Sequence, residues 1–296
     1  HSGADAFLKP VTNQPNLHIR TRAQVQELLL KDQTVYGVRL TNGEEIRVKK
    51  EVILSAGAFH SPTILQQSGI GDPDELKAAG ISLKHILPGV GKNLQDHLFF
   101  GVSALAREPL GQNHTLKPWY LLKGMAEYAF QKTGPMSVSP LEAVAFGHTE
   151  NKTSGVDYQF HFIPIQLGSD YSVDPYNPKT YPKEDGFSIL PTLLKPESRG
   201  YVKIREKGNI HFPEIQPHFL TSEKDRQVLL KATKIAMEVI QQEALARYTK
   251  EWITPPLRQS DEGIWEHIKK QIETVYHPVG TCRMGNTADC VVDTQL

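Results

Sequence analysis

The sequence predicts a mixed α/β protein whose regions differ in architecture. Residues 17–55 hold short apolar or alternating runs, which favour a β-meander. From about residue 100 to 215, apolar strands alternate with loops rich in proline and glycine, which favours an antiparallel sheet. Two amphipathic helical segments follow. With 296 residues, 39% of them hydrophobic, the chain can build one large core or two ordinary ones.

The first region contains the clearest local signals. Its predicted strands are "LHIR", "VQELLL", "VYGVRL", "EIRV" and "EVILSAG". Asn42-Gly43 between two of them is a strong hairpin signal, because both residues tolerate positive φ angles. A short helix is predicted after Asp72, which serves as N-cap before Pro73 at the first helical position, and Gly80 is predicted to end it.

The middle and C-terminal segments complete the prediction. The strands of the second region are "DYQFHFIPI", "GFSILPTLL" and "GYVKI". A helix is predicted from about 223 to 246, with Ser222 and Asp225 as a capping box. A second helix has an apolar stripe made of Ile264, Ile268, Ile272 and Val275. It is expected to run to Tyr276 and end at His277, because Pro278 disfavours helical geometry in the residue before it. That places the imidazole in a turn at a helix C-terminus.

Composition excludes several classes of partner. Thirty-three basic and thirty-three acidic residues give a net charge of zero, so there is no electrostatic footprint for nucleic acid or an anionic membrane. No apolar run approaches the roughly 20 residues of a membrane span. Two cysteines are too few for a disulfide framework. A small molecule is the expected partner.

Common catalytic motifs fail on spacing. "GVGKNL" has Leu94 where a dinucleotide fingerprint needs a small residue, and no phosphate-binding P-loop or G-x-S-x-G elbow is present. A zinc site from His277, Cys282 and Cys290 matches no common ligand interval, so no metal is predicted. For His277 in "TVYHPVGTCRMG", spacing alone leaves catalysis, metal binding and a structural turn open.

Six segments along the chain carry a resemblance to a known family. They are "EVILSAGA", "GAFHSPTILQQSGIG" at 57–71, "LPGVGKNLQDH", "KPESRGYVKI", "PEIQPHFLTSEKD" and "YHPVGTCRMG". In this order they resemble blocks of the glucose-methanol-choline (GMC) family of FAD-dependent oxidoreductases, and the segment at 57–71 is similar to the family's second signature. "AFLKPV" and "GPMSVSPLEAVAF" resemble most the insect, glucose dehydrogenase-like branch.

The resemblance implies two layers, part of an FAD-binding Rossmann-like domain and a substrate domain built on an antiparallel sheet. The expected division is residues 1–98 for part of the FAD-binding domain and 99–260 for the substrate domain. Residues 261–296 are expected to return to the FAD-binding domain with the active-site loop.

The resemblance also implies site residues. His277 matches the family's active-site histidine and would accept the hydroxyl proton of an alcohol or sugar while hydride passes to the flavin. Val25 matches a position whose backbone meets the adenine end of FAD. Ala56 and Gly57 match a turn that passes close to the dinucleotide, and Asn93 lies in a block near the flavin.

This sequence lacks two features of the family, and the remaining expectations follow from that. A G-x-G-x-x-G fingerprint and the block carrying a second active-site histidine or asparagine are absent from the sequence. The chain is therefore expected to be an internal piece of a longer enzyme and inactive by itself. The alternative function is a catalytically silent relative that binds a ligand or partner. The electron acceptor, oxygen or quinone, stays open, and so does localisation, for which the resemblance alone suggests secretion.

Overall fold

The protein is described by a computed structural model that covers residues 2–150, 155–169, 172–174, 177–208, 210–256 and 259–296. The helices are α1 Gly57–Gln67, α2 Pro73–Ala78, α3 Pro118–Gln131, α4 Glu223–Gln241, α5 Glu243–Ala246 and α6 Asp261–Gln271. Single helical turns lie at Ala4–Leu8, Lys9–Val11, Asn113–Leu116, Pro135–Ser137 and Pro178–Thr180. The strands are β1 Val25–Lys31, β2 Thr34–Leu40, β3 Glu45–Arg47, β4 Ile70–Gly71, β5 His85–Ile86, β6 Leu98–Phe99, β7 Val102–Ala106, β8 Ala143–Gly147, β9 Tyr158–Ile163, β10 Gly186–Leu193, β11 Tyr201–Lys207, β12 Ile210–Gln216, β13 Thr249–Thr254 and β14 Glu273–Thr274.

The chain forms two compact units. Unit 1 takes the described residues of 1–92, 202–215 and 281–296, and unit 2 takes those of 93–201 and 216–280. These packing units do not coincide with the predicted division, because residues 93–98 and 261–280 belong to unit 2 and the described residues of 202–215 belong to unit 1. Within residues 261–280, strand β14 pairs with β6, and α6 packs against α4.

Unit 1 contains the predicted meander. Strands β1, β2 and β3 form an antiparallel sheet, and the turn at Asn42-Gly43 joins the last two, with Gly43 at φ +87°. Helix α1 packs against β1, and the buried hydroxyl of Ser68 links them by accepting a hydrogen bond from the backbone N–H of Leu28 at 2.8 Å. The predicted caps of α2 are confirmed, because the carboxylate of Asp72 accepts the backbone N–H groups of Asp74 and Glu75.

Two predicted strands of this region are wrong. The segments "LHIR" and "EVILSAG" have no strand partner among the described residues and are not strands. In the second segment Val52 and Leu54 still pack on the core of unit 1, while Ile53 is 80% exposed. The alternation of buried and exposed residues in "EVILSAG" therefore comes from an extended segment that is buried on one side without pairing to another strand.

Unit 2 is built on one mixed-length antiparallel sheet. Strand β10 is central and buried throughout, with β9 and then β8 on one edge and β7 and β6 sharing the other. β13 extends from β7, and β14 from β6. Two predicted strands of the second region, "DYQFHFIPI" and "GFSILPTLL", are confirmed as β9 and β10. The third, "GYVKI", does form a strand, β11, but it pairs with β12 in a separate two-stranded sheet, and residues 202–207 of it belong to unit 1. The mixed α/β class is confirmed.

One face of this sheet carries the main core. Tyr158 and Phe160 of β9, together with Phe187 and Ile189 of β10, pack against α4. Because side chains alternate across a strand, Gln159, His161 and Ile163 point to the opposite face. That face carries the candidate site.

Three helix predictions for this unit need correction. α4 ends at Gln241 instead of 246, because Gln242 is extended. Its cap is half of the expected box: Ser222 accepts the N–H of Lys224, but Asp225 turns away to bind residues 197 and 198. α6 ends at Gln271, because residues 273–274 join the sheet, so His277 does not lie at a helix C-terminus.

Helix α3 was not predicted. Gly124 is its one buried residue among those described, and apolar side chains such as Trp119, Leu122 and Phe130 are exposed. The helical spacing of Lys123, Glu127 and Gln131 was the available sequence signal for this helix.

Candidate active site

The loop that carries His277 is fixed by strand pairing. Glu273 and Thr274 of β14 pair with Phe99 and Leu98 of β6. The pairing continues beyond the short strands, since the N–H of Val275 donates to the carbonyl of His97 at 3.0 Å. Tyr276 then adopts φ +60°, a left-handed conformation that turns the chain sharply. His277 is exposed at this turn, before Pro278.

Asp96 holds both histidines of this corner. Its carboxylate is buried, and Oδ1 accepts the backbone N–H groups of His97 at 2.8 Å and His277 at 2.9 Å. The two imidazole rings meet edge to face, with centroids 5.8 Å apart. In the described part of the chain neither ring nitrogen of His277 has a hydrogen-bond partner. The imidazole is therefore positioned by its backbone while its nitrogens stay available.

A third histidine, His161, lies near His277. Burial first, and the nearby His277 second, lower the pKa of His161. The amide nitrogen of Gln159 lies 2.8 Å from Nε2 of His161 and donates to it, which leaves the ring's proton on Nδ1. Both effects favour a neutral His161, and a neutral His161 would not repel a positive charge on His277.

Asn93 supports the same loop rather than standing free. Its Nδ2 donates to the carbonyl of Gly280 at 3.1 Å, and its Oδ1 accepts from Nε of Arg199 at 3.0 Å. A Cβ at Gly280 would stand 2.8 Å from Nδ2 of Asn93, and Gly280 has φ +98°. Both the positive φ angle and the close approach of Asn93 therefore favour glycine at position 280. Both ends of the Asn93 side-chain amide form hydrogen bonds within the chain.

The other predicted cofactor residues lie in unit 1. Val25 begins β1 and packs on the unit's core, and Ala56 and Gly57 stand exposed at the start of α1. No side chain of the described residues caps this helix, and the site of a Cβ on Gly57, at φ +79°, has no atom within 4 Å. Open space beside unpaired helical N–H groups suits close approach by an anionic dinucleotide. These residues fit the backbone contacts expected for FAD.

The cysteines show no reactive or ligating arrangement. Cys282 and Cys290 are free thiols, and burial raises the pKa of Cys282 to about 11, so it is protonated at neutral pH. Among the residues that the structure describes, no group of three or more His, Cys, Asp and Glu could hold a metal ion. Likewise, no described helix has the length and apolar character of a membrane span.

Sequence reasoning found His277 and missed its neighbours. Asp96 and His97 stand in the quoted block "LPGVGKNLQDH", but nothing in their spacing relates them to a residue 180 positions later. The connection is made by β6 and β14, two strands of two residues each. His161 is visible only as a polar residue interrupting an apolar strand, which was the available signal.

Protein-family models and curated proteins match this sequence. Two models described as GMC oxidoreductase match the chain, over residues 1–99 and 196–296. The oxygen-dependent choline dehydrogenase of Chromohalobacter salexigens is 35% identical over 298 residues, covering 99% of this chain and 52% of that protein. The chain thus spans about half the length of the curated relatives it matches.

Solved structures show the same fold. The crystal structure of pyridoxine 4-oxidase from Mesorbium loti is 28% identical with a TM-score of 0.79, covering 99% of this chain and 53% of that one. Aspergillus oryzae formate oxidase, studied for modification of its FAD, is 22% identical with a TM-score of 0.78, covering 92% and 52%. This second likeness concerns the fold alone.

Two expectations that follow from the family resemblance are confirmed. The fold class, an α/β FAD-binding part with a sheet-based substrate domain, is confirmed. FAD as the family's cofactor is confirmed as well. The two family models together cover more than half of the sequence, and both describe one family. The chain belongs to the glucose-methanol-choline oxidoreductase family.

Proposed function

We propose that the full-length protein oxidises the CH–OH group of an alcohol or sugar with FAD, and that His277 is the proton acceptor. The observation that carries this proposal is the corner at Asp96, which fixes the backbone of an exposed histidine and leaves both ring nitrogens available. A base must be rigidly placed yet accessible to substrate, and this arrangement meets both requirements.

The reaction balances with the groups at hand. The substrate loses its hydroxyl proton to a ring nitrogen of His277 and its carbinol hydrogen as hydride, so the C–OH carbon becomes a carbonyl. FAD supplies the two-electron acceptor for that hydride when it is bound. Burial lowers the pKa of the neighbouring His161, which favours its neutral form and reduces the repulsion that an imidazolium on His277 would meet from that ring.

The cofactor would be held by the backbone positions in unit 1. Val25 would meet the adenine end, and the exposed turn at Ala56-Gly57 would allow the dinucleotide to approach closely. Asn93 acts through the loop that it ties to Gly280, because its amide is already engaged.

The finer assignments stay predictions. Placement in the insect glucose dehydrogenase-like branch rests on "AFLKPV" and "GPMSVSPLEAVAF", whereas the relatives compared above include a bacterial choline dehydrogenase. The acceptor that reoxidises the flavin is oxygen or a quinone, and the relative's description as oxygen-dependent supports oxygen.

Replacing His277 tests the proposal. In the full-length enzyme, His277→Ala should slow flavin reduction by alcohol about 10²- to 10⁴-fold, or roughly 3 to 5 kcal/mol in the barrier, because the proton acceptor is lost. Stopped-flow absorbance measures the rate, and absorbance of released flavin measures the bound cofactor, which should be unchanged. The matched control is His18→Ala, an exposed histidine of unit 1, which should be neutral. A His277→Ala enzyme with near-normal flavin reduction would make this residue structural.

A further inference from the structure

Unit 2 contains a cavity on the sheet face that carries the histidines. Its volume is about 320 Å³, and Phe99, Ile163, Leu167, Tyr181 and Leu190 are among its lining residues. Ile163 and Leu190 are buried, and Phe99, Leu167 and Tyr181 pack against them. This cluster is separate from the main core under α4, which occupies the opposite face of the sheet.

Strand geometry connects the cavity to the histidine cluster. Ile163 lies two residues after His161 in β9, so both side chains point to one face with their Cα atoms about 7 Å apart. Phe99 likewise lies two residues after His97. The residue that pairs with Phe99 is Glu273 of β14, whose chain leads directly to His277. The cavity therefore starts one residue pair away from the imidazoles.

The lining of the cavity favours apolar groups over polar ones. Two of the described lining residues are charged, Lys270 and Glu273, and their charges are opposite. The rest of the wall is mostly aliphatic or aromatic, and its other polar side chains are those of Gln271 and Tyr181, so several of the hydroxyls of a sugar would lose water without gaining partners, which is costly. A cationic alcohol would find one carboxylate offset by one ammonium group. An apolar group loses nothing by entering.

The size of the cavity also fits a carbon skeleton. An apolar cavity of about 150 Å³ is enough to hold benzene. The roughly twofold larger space here accommodates a phenyl ring with further carbons, or an alkyl chain of similar bulk. Gly101 helps to keep it open, since a Cβ there would stand 2.9 Å from Cδ1 of Leu167.

We propose that the substrate is a neutral primary or secondary alcohol whose aromatic or aliphatic part occupies this cavity while its hydroxyl meets His277. The inference rests on the proposed function and narrows it. The same proton and hydride leave the CH–OH group, and the apolar part is chemically unchanged. Sugars and choline are thereby excluded as the preferred substrates.

Binding can be measured apart from oxidation. A tertiary alcohol, 2-phenylpropan-2-ol, has no carbinol hydrogen and cannot be oxidised, so calorimetry with the full-length FAD-loaded enzyme reports occupancy alone. Leu167→Asp should weaken its binding at least tenfold, because a carboxylate would replace an apolar wall. Leu167→Trp should weaken it too by filling the space, without adding charge. The matched control is Leu110→Asp, an exposed leucine outside the lining, which should bind normally.

Turnover completes the test through anaerobic flavin reduction by benzyl alcohol, choline and glucose. Faster reduction by benzyl alcohol, lost in both Leu167 variants, supports the inference. Reduction by choline or glucose in preference to benzyl alcohol overturns the inference and leaves the proposed function standing. Binding of the tertiary alcohol that depends on Leu167, with no flavin reduction by any alcohol, instead overturns the proposed function and leaves an apolar ligand site. Thermal melting of each variant identifies loss of folding.

Discussion

At the scale of single residues, Asp96 decides how the candidate site is held. One buried carboxylate oxygen accepts two backbone N–H groups, from His97 and His277, which are far apart in sequence. Hydrogen bonds to a charged acceptor are stronger than neutral ones, so the corner is stiff without using either imidazole. Asp96 is thus a positioning residue, and its removal should affect catalysis through geometry.

This role predicts different outcomes for two substitutions. Asp96→Ala leaves two backbone N–H groups without their acceptor and should slow flavin reduction about tenfold or more, with a loss of roughly 1 to 3 kcal/mol in unfolding free energy. Asp96→Asn keeps an oxygen acceptor and should restore much of both. Stopped-flow rates and chemical denaturation provide the two measurements, and KM should change less than kcat. If Asp96→Ala lost stability with an unchanged rate in the folded fraction, the residue would have no positioning role.

At the scale of elements, the N-terminus of α4 shows how one carboxylate joins a helix to a loop. Asp225 is 1% exposed, and it accepts the N–H of Glu197 at 2.7 Å and the N–H and hydroxyl of Ser198 at 2.9 and 2.6 Å. The hydroxyl of Ser198 in turn accepts the N–H of Ser222, the N-cap residue. The helix start and the loop before β11 therefore form one hydrogen-bonded network.

Breaking that network should be costly. Asp225→Ala leaves three donors without their acceptor, two of them the buried N–H and hydroxyl of Ser198, and should lower the unfolding free energy by about 3 kcal/mol. Urea denaturation of the purified variant measures the loss. Glu223→Ala is the matched control, since this acid is in the same helical turn but exposed, and it should change stability by less than about 0.5 kcal/mol. Equal losses in the two variants would contradict the network.

The same elements show what local sequence can predict. The turn at Asn42-Gly43 and the cap at Asp72 were predictable because a few adjacent residues determine each. The end of α6 was not, because the apolar stripe continues through Ile272 and Val275 while pairing with β6 extends the backbone. Asp225 has the spacing of a capping box, yet a loop 27 residues away takes its oxygens. Tertiary contacts override local signals at such positions.

The candidate site also contains features that local sequence can predict and features that depend on tertiary contacts. His277 could be identified from its motif and family resemblance, because the motif is contiguous. Its hydrogen bond to Asp96 and its nearness to His161 follow from the register of β6, β9 and β14, and no alternation is visible in strands of two residues. The cavity depends on that register too, so the apolar lining around Phe99 became visible only with the fold.

At the scale of the whole molecule, the two compact units contain different parts of the proposed site. Unit 2 contains the histidine cluster and the apolar cavity, and unit 1 contains the residues expected to contact FAD. Val25, Ala56 and Gly57 offer backbone contacts to part of a large cofactor, and the sequence contains no G-x-G-x-x-G to bind its pyrophosphate. The affinity of the 296-residue chain for FAD should therefore be low.

The corresponding prediction concerns the 296-residue chain expressed as it stands. Purified under native conditions, it should show little absorbance in the flavin bands, and added FAD should raise its melting temperature by no more than a small amount. The reason is linkage: the stabilisation of the folded state by a ligand is small unless the ligand concentration well exceeds its Kd, and contacts to part of the dinucleotide leave Kd high. Full-length enzyme prepared in parallel is the control and should be yellow with stoichiometric flavin. A stoichiometric yellow 296-residue protein would show that the contacts around Val25 and Gly57 suffice for binding.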